Sequence, residues 1–558
     1  MLIEPQQVRA VDCLLDLLQE MKVKFIFGNP GTFEQGFMAR LSERPGFKYL
    51  LGLHETVAVA MADGYARASG GPAFVNLHIS VGLANGLSQI YNARVHRSPV
   101  IVTAGQAESD QMVFEPTLAA DTVEMSRQFT KWSYELRASS DVVPALRRAF
   151  KISTDPPPGP VFLSLPIDHL EGLTSLVPPH DGAAVTARSQ PDRSAVDAAA
   201  NLLRASHRPM LICGDDVGRC HAVESVVRLA EVIGADVYAL NQTEVAFPNN
   251  HPQFVRTLDS NSAQTGGILS QADVVMVVGG PVFSQVLKVD TELLPRHTPL
   301  IHLDSSSWET GKNLSAAVAM ACDLALGCEV LTAALQSTMS ADELAAAGQR
   351  KAELVKTKAA AGARLEQRLK ASRNAKEISS LALMSVLSER LATSDYTVVE
   401  EATTSAGALS QAFGFSVPGS RYSNKGGALG WALPAALGVQ LARPEQTVVA
   451  VIGDGAANYS IQALWTAAHY DLPVKVLICS NRQYRVLKKN IMKFLPDFDT
   501  TRLVGMDLTE PTIDFVSLAR GYGVAGFMVN DQLDLPDVIG EWLSCAGPAL
   551  LDVTIEDE

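Results

Sequence analysis

Short runs of aliphatic and β-branched residues alternate with helix-length segments along almost the whole chain. The candidate strands, in chain order, are Lys24–Gly28, Ala73–His78, Pro99–Ala104, Pro160–Leu165, Pro209–Gly214, Asp236–Leu240, Asp273–Gly279, Pro299–Asp304, Thr397–Glu400, Thr447–Gly453, Val474–Ser480 and Ala549–Thr554. Helical patterns lie between them, for example at Gln7–Met21 and Glu55–Ala68. Strands that alternate with helices form parallel sheets with helices on their faces. The pattern therefore predicts an α/β fold.

The α/β alternation falls into three segments of similar size, and a length of 558 residues is enough for three domains. The polar, proline-containing stretch Val177–Arg193 predicts a linker. Ser340–Lys376 is rich in Ala, Lys, Arg and Glu and predicts an exposed helical connector. We therefore expect domains at residues 1–178, 190–340 and 377–558, with the connector at residues 341–376.

The composition excludes several classes of protein. The net charge is −14 and no run of Lys or Arg stands out, which argues against a nucleic-acid-binding protein. The seven cysteines include no CxxC pair, which argues against a zinc site and a disulfide framework. The longest uncharged apolar stretch, between Lys425 and Arg443, is broken by glycines and Pro434, so we expect no membrane span. With no secretory signal at the N-terminus, we expect a cytoplasmic enzyme.

One strand ends in a sequence suited to binding a cation. The apolar run Val448–Gly455 (VVAVIGDG) places Asp454 between two glycines where an α/β sheet binds ligands. The next candidate strand ends at Asn481, about two dozen residues later. Mg²⁺ takes few protein ligands, so the carboxylate of Asp454, the amide oxygen of Asn481 and the backbone carbonyl of Gln483 are an adequate set. The two strand ends together predict a magnesium site.

The Gly-Asp-Gly and Asn pair resembles the motif of thiamine diphosphate-dependent enzymes of the acetolactate synthase and pyruvate decarboxylase type. The resemblance covers nearly the whole chain and is greatest to the benzoylformate decarboxylases. The matching segments are GNPGT (28–32), ADGYARAS (62–69), AFVNLH (73–78), SPVIVTAGQ (98–106), TKWSYE (130–135), GALGWALPAALGVQLA (427–442) and GDGAANYSIQALWTAA (453–468). It implies a thiamine diphosphate-binding fold with pyrimidine-binding, central and diphosphate-binding domains.

The resemblance also implies roles for particular residues. Glu55 would share a proton with the cofactor ring and so activate it, since a desolvated carboxyl group can do this. His78 would carry protons beside the substrate, a role that suits a histidine, and Thr32 would hold the substrate carboxylate. The implied cofactor contacts are Asn29, Pro30, Gly31, Glu55, Thr403, Thr404, Gly427, Leu429, Asp454, Gly455, Ala456, Asn481 and Tyr484. The implied Mg²⁺ ligands are Asp454, Asn481 and Gln483.

Thr32 replaces the serine that the family uses at that position and keeps the hydroxyl. The chain departs more strongly from the benzoylformate decarboxylase pattern at two further positions. Val286, in the segment GPVFSQV (280–286), stands where the family has a second histidine, and valine cannot transfer a proton. Arg485 stands where the family has a small glycine, and Lys488 and Lys489 follow it. These bases are either a solvated helix face or a cationic pocket wall that would select an acidic or polar substrate. His96 and the histidines at 169, 180, 251, 297 and 302 are expected on loops or surfaces.

We expect a thiamine diphosphate- and Mg²⁺-dependent decarboxylase that converts a 2-oxo acid to CO₂ and an aldehyde. The alternative is a carboligase of the acetolactate synthase type, which forms a 2-hydroxy ketone or acetohydroxy acid and which Val286 favours. A regulatory, cofactor-binding subunit without activity would have lost Glu55, Asp454 or Asn481, and all three are present. Because the family builds its site from two chains, a homodimer is the minimum and a homotetramer is expected. The central segment has Gly279-Gly280 without G-x-G-x-x-G, so no flavin site is expected.

Overall fold

The computed structural model describes residues 7–175, 188–240, 243–284, 292–499 and 503–556. These residues form three parallel sheets flanked by helices, so the predicted α/β fold is confirmed. Contacts divide the chain into two compact units. One contains Met1–Ala183, Ala375–Gly407 and Asn424–Glu558, and the other contains Ala184–Asn374 and Ala408–Ser423. No helix in the described part of the chain combines the length and apolar character needed to cross a membrane.

The N-terminal sheet has six parallel strands in the order β3-β2-β4-β5-β7-β6. The strands of this part are β1 (Gln7–Arg9), β2 (Phe25–Gly28), β3 (Lys48–Leu51), β4 (Ala73–Leu77), β5 (Val100–Gln106), β6 (Ser133–Glu135), β7 (Val161–Pro166) and β8 (Leu173–Ser175). The helices are α1 (Ala10–Glu20), α2 (Gln35–Ser42), α3 (Glu55–Ser69), α4 (Ile79–Val95), α5 (Thr122–Arg127), α6 (Val142–Thr154) and α7 (Ile167–Glu171). β1 pairs with β8 in a separate antiparallel ribbon, so the helix predicted from Gln7 begins three residues later.

The central sheet is also parallel, in the order β11-β10-β9-β12-β13-β14. Its strands are β9 (Pro209–Cys213), β10 (Asp236–Leu240), β11 (Phe254–Leu258), β12 (Val274–Val278), β13 (Leu300–Asp304) and β14 (Val318–Ala321). The helices here are α8 (Arg193–Arg204), α9 (Asp216–Arg219), α10 (Val223–Ile233), α11 (Ala263–Leu269), α12 (Leu324–Thr338) and α13 (Ala341–Arg373). The helix α13 occupies the predicted connector and is exposed along nearly its whole length.

The C-terminal sheet has the order β16-β15-β17-β18-β20-β19. Its strands are β15 (Tyr396–Glu401), β16 (Arg421–Ser423), β17 (Thr447–Gly453), β18 (Lys475–Ser480), β19 (Ala525–Val529) and β20 (Ala549–Thr554). The helices are α14 (Ser380–Leu391), α15 (Ala406–Ala412), α16 (Ala432–Ala442), α17 (Asp454–Ala457), α18 (Ala463–His469), α19 (Arg485–Phe494), α20 (Phe515–Gly521) and α21 (Leu535–Ser544). The adjacent strands β17 and β18 are parallel and almost fully buried, which brings their C-terminal ends to the same edge of the sheet.

Two helices rich in small residues, α3 and α16, pack against each other within one unit. A Cβ atom on Gly64 would lie 2.2 Å from the carbonyl oxygen of Ala435, and one on Gly438 would lie 1.9 Å from that of Met61. Only glycine permits so close an approach of two helix backbones. This contact ties the N-terminal sheet to the C-terminal sheet, and it follows from the small residues in both motif segments.

Candidate active site

The ends of β17 and β18 place two of the predicted metal ligands on neighbouring strands. Asp454 is buried and follows β17, with its carboxylate accepting hydrogen bonds from the backbone N–H groups of Gly455 (2.8 Å) and Arg482 (2.5 Å). Asn481 follows β18, and its amide oxygen accepts from the N–H of Gln483 (3.2 Å). Burial raises the pKa of Asp454, although these backbone N–H groups act against the rise. One carboxylate and one amide oxygen are hard oxygen donors of the kind that Mg²⁺ takes in proteins, so the residues present fit the ion.

The backbone of this edge is shaped to bring the loop after β18 over the Gly-Asp-Gly turn. Arg482 has a φ of +58°, in the left-handed region that non-glycine residues adopt at a cost. A Cβ atom on Gly455 would lie 2.7 Å from the ring of Tyr484, so glycine is needed there for close contact. No cluster of three or more His, Cys, Asp or Glu side chains that could bind a metal occurs among the described residues. The site is therefore a sparse one, suited to an ion that also takes oxygen from phosphate and water.

Two of the implied cofactor contacts, Thr403 and Thr404, border this edge, and the resemblance implies that they hold the diphosphate. The side chain of Asn481 donates to the hydroxyl of Thr404 (3.3 Å), which connects the loop after β15 to the loop after β18. Thr403 is exposed beside it. Gly427, with a φ of +84°, is also exposed. The backbone N–H of Gly427 donates to the side chain of Asn424 (3.3 Å). Hydroxyl groups at the ends of parallel strands can bind phosphate oxygens, so Thr403 and Thr404 fit a diphosphate.

The loop that carries Gly427 and Leu429 is held by side chains from two directions. On one side, Gln89 and Asn92 of α4 donate to the backbone carbonyls of Leu429 (3.1 Å) and Ala428 (2.9 Å). On the other, Glu401 accepts hydrogen bonds from the side chain of the loop residue Asn424 and from two backbone N–H groups at the start of α16. Sequence patterns did not single out these anchors, because their partners are backbone groups far away in the chain.

Glu401 is a buried carboxyl group at the end of β15. It accepts from the side chain of Asn424 (2.9 Å) and from the backbone N–H groups of Trp431 (2.9 Å) and Ala432 (3.0 Å). Burial raises the pKa of Glu401 to about 7 against the effect of these donors, and the neighbouring Glu400 adds to the rise. Its neutral and ionised forms are therefore close in free energy at physiological pH.

Glu55, the predicted cofactor-activating residue, is the first residue of α3 and is 8% exposed. Its carboxylate accepts a hydrogen bond from the side chain of Asn85 on α4 (3.0 Å), its one hydrogen-bond partner in the described part of the chain. A Cβ atom on Gly82 would lie 2.9 Å from a carboxylate oxygen of Glu55 and 3.2 Å from Cβ of His78. Glu55 and His78 therefore lie side by side at the start of α4. A buried carboxyl group with one amide partner retains an oxygen that can take a ring nitrogen's proton.

His78 follows β4 and lies beside the loop after β2. This loop contains the implied cofactor contacts Asn29, Pro30 and Gly31 and the implied substrate contact Thr32. A Cβ atom on Gly31 would lie 2.1 Å from Nδ1 of His78, so the loop packs directly on the imidazole. Thr32 is exposed. The Nδ1 atom also lies 2.9 Å from the buried carboxylate of Glu34, a residue that the motif analysis missed. Its position three residues after Gly31, from whose backbone N–H its carboxylate accepts (2.8 Å), is the sequence signal that could have found it.

Most of the predicted site residues thus form two clusters, and Gly427 and Leu429 lie on the loop described above. The first cluster contains Asn29, Pro30, Gly31, Thr32, Glu55 and His78, beyond the C-terminal ends of β2, β3 and β4. The second cluster contains Thr403, Thr404, Asp454, Gly455, Ala456, Asn481, Gln483 and Tyr484, at the C-terminal ends of β15, β17 and β18. Within the residues that the structure describes, no hydrogen bond connects one cluster to the other.

Of the two residues at which the chain departs most from the benzoylformate decarboxylase pattern, the structure describes one. Val286 lies outside the described residues. Arg485 is the first residue of α19 and is half-buried, and no acidic side chain in the described ranges forms an ion pair with it. Lys488, one turn later, pairs with Asp507. An arginine without a carboxylate partner next to Tyr484 is available to bind an anion.

The expectation that the remaining histidines lie on loops or surfaces is wrong for His302, and His96, which does lie in the turn after α4, is buried as well. Both are fully or almost fully buried. The Nδ1 atom of His96 lies 2.7 Å from the buried carboxylate of Asp63, and its Nε2 atom accepts from the N–H of Lys425 (3.0 Å). His302 lies within β13. His180 lies outside the described residues. Burial of a histidine depends on contacts made by the whole fold, which a lone His in a sequence does not reveal.

Comparison with known proteins places the chain among thiamine pyrophosphate enzymes over most of its length. Family models match residues 8–125 (thiamine pyrophosphate enzyme, N-terminal TPP binding domain), 196–333 (central domain) and 401–553 (C-terminal TPP binding domain). Benzoylformate decarboxylase of Pseudomonas aeruginosa is 33% identical over 96% of this chain and 97% of its own. Acetolactate synthase isozyme 3 large subunit of Escherichia coli is 26% identical over 96% of this chain and 92% of its own.

Solved structures show the same fold. The thiamine diphosphate-dependent 4-hydroxybenzoylformate decarboxylase of Rhodococcus jostii superposes with a TM-score of 0.85 at 28% identity, over 99% of this chain and all of that one. Benzoylformate decarboxylase of Polynucleobacter necessarius gives a TM-score of 0.85 at 28% identity, over 99% of both chains.

Proposed function

Given that the chain belongs to the thiamine pyrophosphate enzyme family, we propose that it is a thiamine diphosphate- and Mg²⁺-dependent decarboxylase of a 2-oxo acid. The observation that carries this proposal is the pair of clusters: a buried glutamate beside a histidine at one, and a single buried carboxylate with an amide oxygen at the other. The 33% identity to a benzoylformate decarboxylase over 96% of the chain supports an aromatic 2-oxo acid as the first substrate to test.

In the proposed reaction the protein's residues bind, orient and move protons. When bound, thiamine diphosphate supplies a nucleophilic carbon that adds to the keto carbon and accepts the electrons released as CO₂ leaves. Asp454 and Asn481, with the carbonyl of Gln483, would hold Mg²⁺, which would supply positive charge for the diphosphate. Glu55 takes and returns a proton at the cofactor ring. His78 delivers the proton that releases the aldehyde, since an imidazole can exchange protons near neutral pH.

The two clusters also support the proposal that two chains complete each site. Glu55 and the Asp454 cluster share no hydrogen bond among the described residues, although both are needed at one cofactor. A homodimer in which each chain supplies one cluster would bring them together, and a homotetramer would contain two such pairs. Analytical ultracentrifugation tests this proposal: a species that is active as a monomer contradicts it.

Carboligation of the acetolactate synthase type is the second candidate. Val286 favours it, because valine cannot supply the proton that would release the aldehyde, which would leave more time for reaction with a second carbonyl compound. Products separate the two candidates: an aldehyde with CO₂ supports decarboxylation, and a 2-hydroxy ketone or acetohydroxy acid supports carboligation.

The first experiment is a proton NMR time course of the purified protein with thiamine diphosphate, Mg²⁺ and benzoylformate. We expect benzaldehyde at roughly one turnover per second or faster. Glu55→Gln is expected to bind the cofactor and lose nearly all turnover, while Glu108→Gln, an exposed glutamate in the same part of the chain, serves as the matched control. Cofactor binding without release of any aldehyde or ligation product, from benzoylformate or other 2-oxo acids, would contradict the proposal.

A further inference from the structure

A buried carboxylate, Glu34, lies directly behind the imidazole of His78. Glu34 ends the 3₁₀ turn Thr32–Glu34 and is 2% exposed. Besides the contact with Nδ1 of His78 (2.9 Å), its oxygens accept three backbone hydrogen bonds: from Gly31 (2.8 Å), Ile79 (3.2 Å) and Gly105 (2.9 Å). A carboxyl group surrounded by donors in this way is held as an acceptor, because an ionised carboxylate has no hydrogen to donate.

The contacts of Glu34 decide which nitrogen of His78 carries the proton. Since the carboxylate only accepts, Nδ1 must be the nitrogen that bears hydrogen and donates to Glu34. The Nε2 atom of a neutral imidazole is then the unprotonated nitrogen. In the described residues, Glu34 is the one hydrogen-bond partner of the His78 imidazole, so Nε2 is open for exchange of a proton with another molecule.

The backbone around Glu34 is built to keep this arrangement. Gly105 is required beside it, because a Cβ atom there would lie 2.4 Å from a carboxylate oxygen of Glu34. Ile79 has a φ of +32°, which is strained for a β-branched residue, and its N–H donates to the same carboxylate. Phe33 stacks on the imidazole of His78 with ring centroids 6.0 Å apart. Such strain persists where the surrounding contacts enforce it, and here they converge on the orientation of one ring.

We infer that Glu34 is a positioning residue for His78: it holds the imidazole with Nδ1 protonated and Nε2 directed to the proton transfer. When Nε2 takes up a proton, the adjacent carboxylate compensates the positive charge of the imidazolium, and when Nε2 returns it, the neutral form with hydrogen on Nδ1 is restored. The part of the inference that concerns proton transfer during the reaction rests on the proposed function. The protonation state itself is a property of the chain without cofactor.

The first test is spectroscopic and needs neither cofactor nor substrate. In protein labelled with ¹⁵N-histidine, the signals of His78 are assigned by their loss in His78→Ala, and the two nitrogen shifts identify the protonated atom. We expect hydrogen on Nδ1 in the wild type. In Glu34→Gln the side-chain amide can donate to Nδ1, so we expect the hydrogen to move to Nε2. Hydrogen on Nε2 in the wild type would overturn the inference, whether or not the variant folds.

The second test is kinetic and separates a positioning role from a structural one. We expect His78→Ala to lower kcat by about 10²- to 10⁴-fold, and Glu34→Gln to lower kcat with little change in KM. If Glu34 acts through His78, the double variant is as slow as His78→Ala alone. Independent losses that multiply in the double variant would overturn the inference. Glu108→Gln is the control, and cofactor affinity is measured for every variant.

The two tests distinguish failure of the inference from failure of the proposed function. If His78→Ala turns over at the wild-type rate, the proposed proton transfer by His78 is wrong, and the ¹⁵N spectrum still decides the protonation that Glu34 imposes. If His78→Ala is slow while Glu34→Gln is as fast as the wild type, the proposed function stands and the inference falls.

Discussion

Replacing the buried Glu401 by glutamine is expected to remove a pH dependence from the stability of this protein. The folded pKa of Glu401 is raised by burial to about 7, whereas an unfolded glutamate has a pKa of 4.5. Between these values the folded state binds the proton and the unfolded state does not, so the free energy of unfolding falls as the pH rises. At about 1.4 kcal/mol per pKa unit, the difference corresponds to roughly 3 kcal/mol, lost between pH 4.5 and pH 7.

Glutamine keeps the size of the side chain and never ionises. Its amide oxygen can accept from the backbone N–H groups of Trp431 and Ala432. Its amide NH₂ group, however, would face the NH₂ group of Asn424, so two donors would lie together without an acceptor. This lowers the free energy of unfolding by about 1 kcal/mol at every pH. Relative to the wild type, Glu401→Gln should therefore be the less stable protein at pH 4.5. As the pH rises to 7, the free energy of unfolding of the variant should increase by roughly 3 kcal/mol relative to that of the wild type.

The assay is urea unfolding at half-unit intervals from pH 4.5 to 8, followed by tryptophan fluorescence. Trp431 is fully buried and its backbone N–H donates to Glu401, so the emission of its indole ring reports the affected region. The quantity compared is the difference between variant and wild type, because the other titrating groups cancel from it. A difference that stays constant with pH would refute the argument that burial governs the ionisation of Glu401.

Three further predictions concern helix packing, the metal and the substrate. Gly64→Ala should lower the free energy of unfolding by about 1–3 kcal/mol, because its Cβ would lie 2.2 Å from the carbonyl oxygen of Ala435. Gly46→Ala, with nothing within 4 Å, is the matched control in thermal unfolding, and an equal effect of both would contradict the packing argument. Asp454→Asn should weaken Mg²⁺ at least about tenfold, measured by titrating Mg²⁺ into metal-free protein with cofactor; unchanged affinity would exclude this carboxylate as a ligand. Arg485→Gly should lower kcat/KM for 2-oxo acids with a second anionic group by about 10- to 100-fold relative to benzoylformate, and an unchanged ratio would place Arg485 outside the substrate site.

The fold class followed from local patterns. Buried strands such as β17 (Thr447–Gly453) and β18 (Lys475–Ser480) were predicted to within a residue, because strands covered on both faces are continuous apolar runs. The edge strands β3 (Lys48–Leu51) and β6 (Ser133–Glu135) were missed. An edge strand is short and half-exposed, so its pairing depends on the neighbouring strand more than on its own residues.

The motifs of the site were equally readable from the chain, since Gly-Asp-Gly and the later Asn481 need particular residue types at strand ends. The anchors behind them were not. Glu34 and Glu401 look like ordinary acidic residues in the sequence, and only the tertiary structure surrounds each with three or more donors from distant segments. His96 was expected on a loop or at the surface; it lies in the turn after α4 but is buried against Asp63 for the same reason.

The sequence by itself therefore determined the α/β architecture and the residue types at the ends of the strands, because both depend on local pattern and on chemistry that few residues can supply. The tertiary structure alone decided which carboxyl groups are desolvated, which backbone N–H groups converge on them and which carboxylate faces Nδ1 of His78. These properties depend on distances between segments far apart in the chain, and no local pattern encodes a distance of that kind.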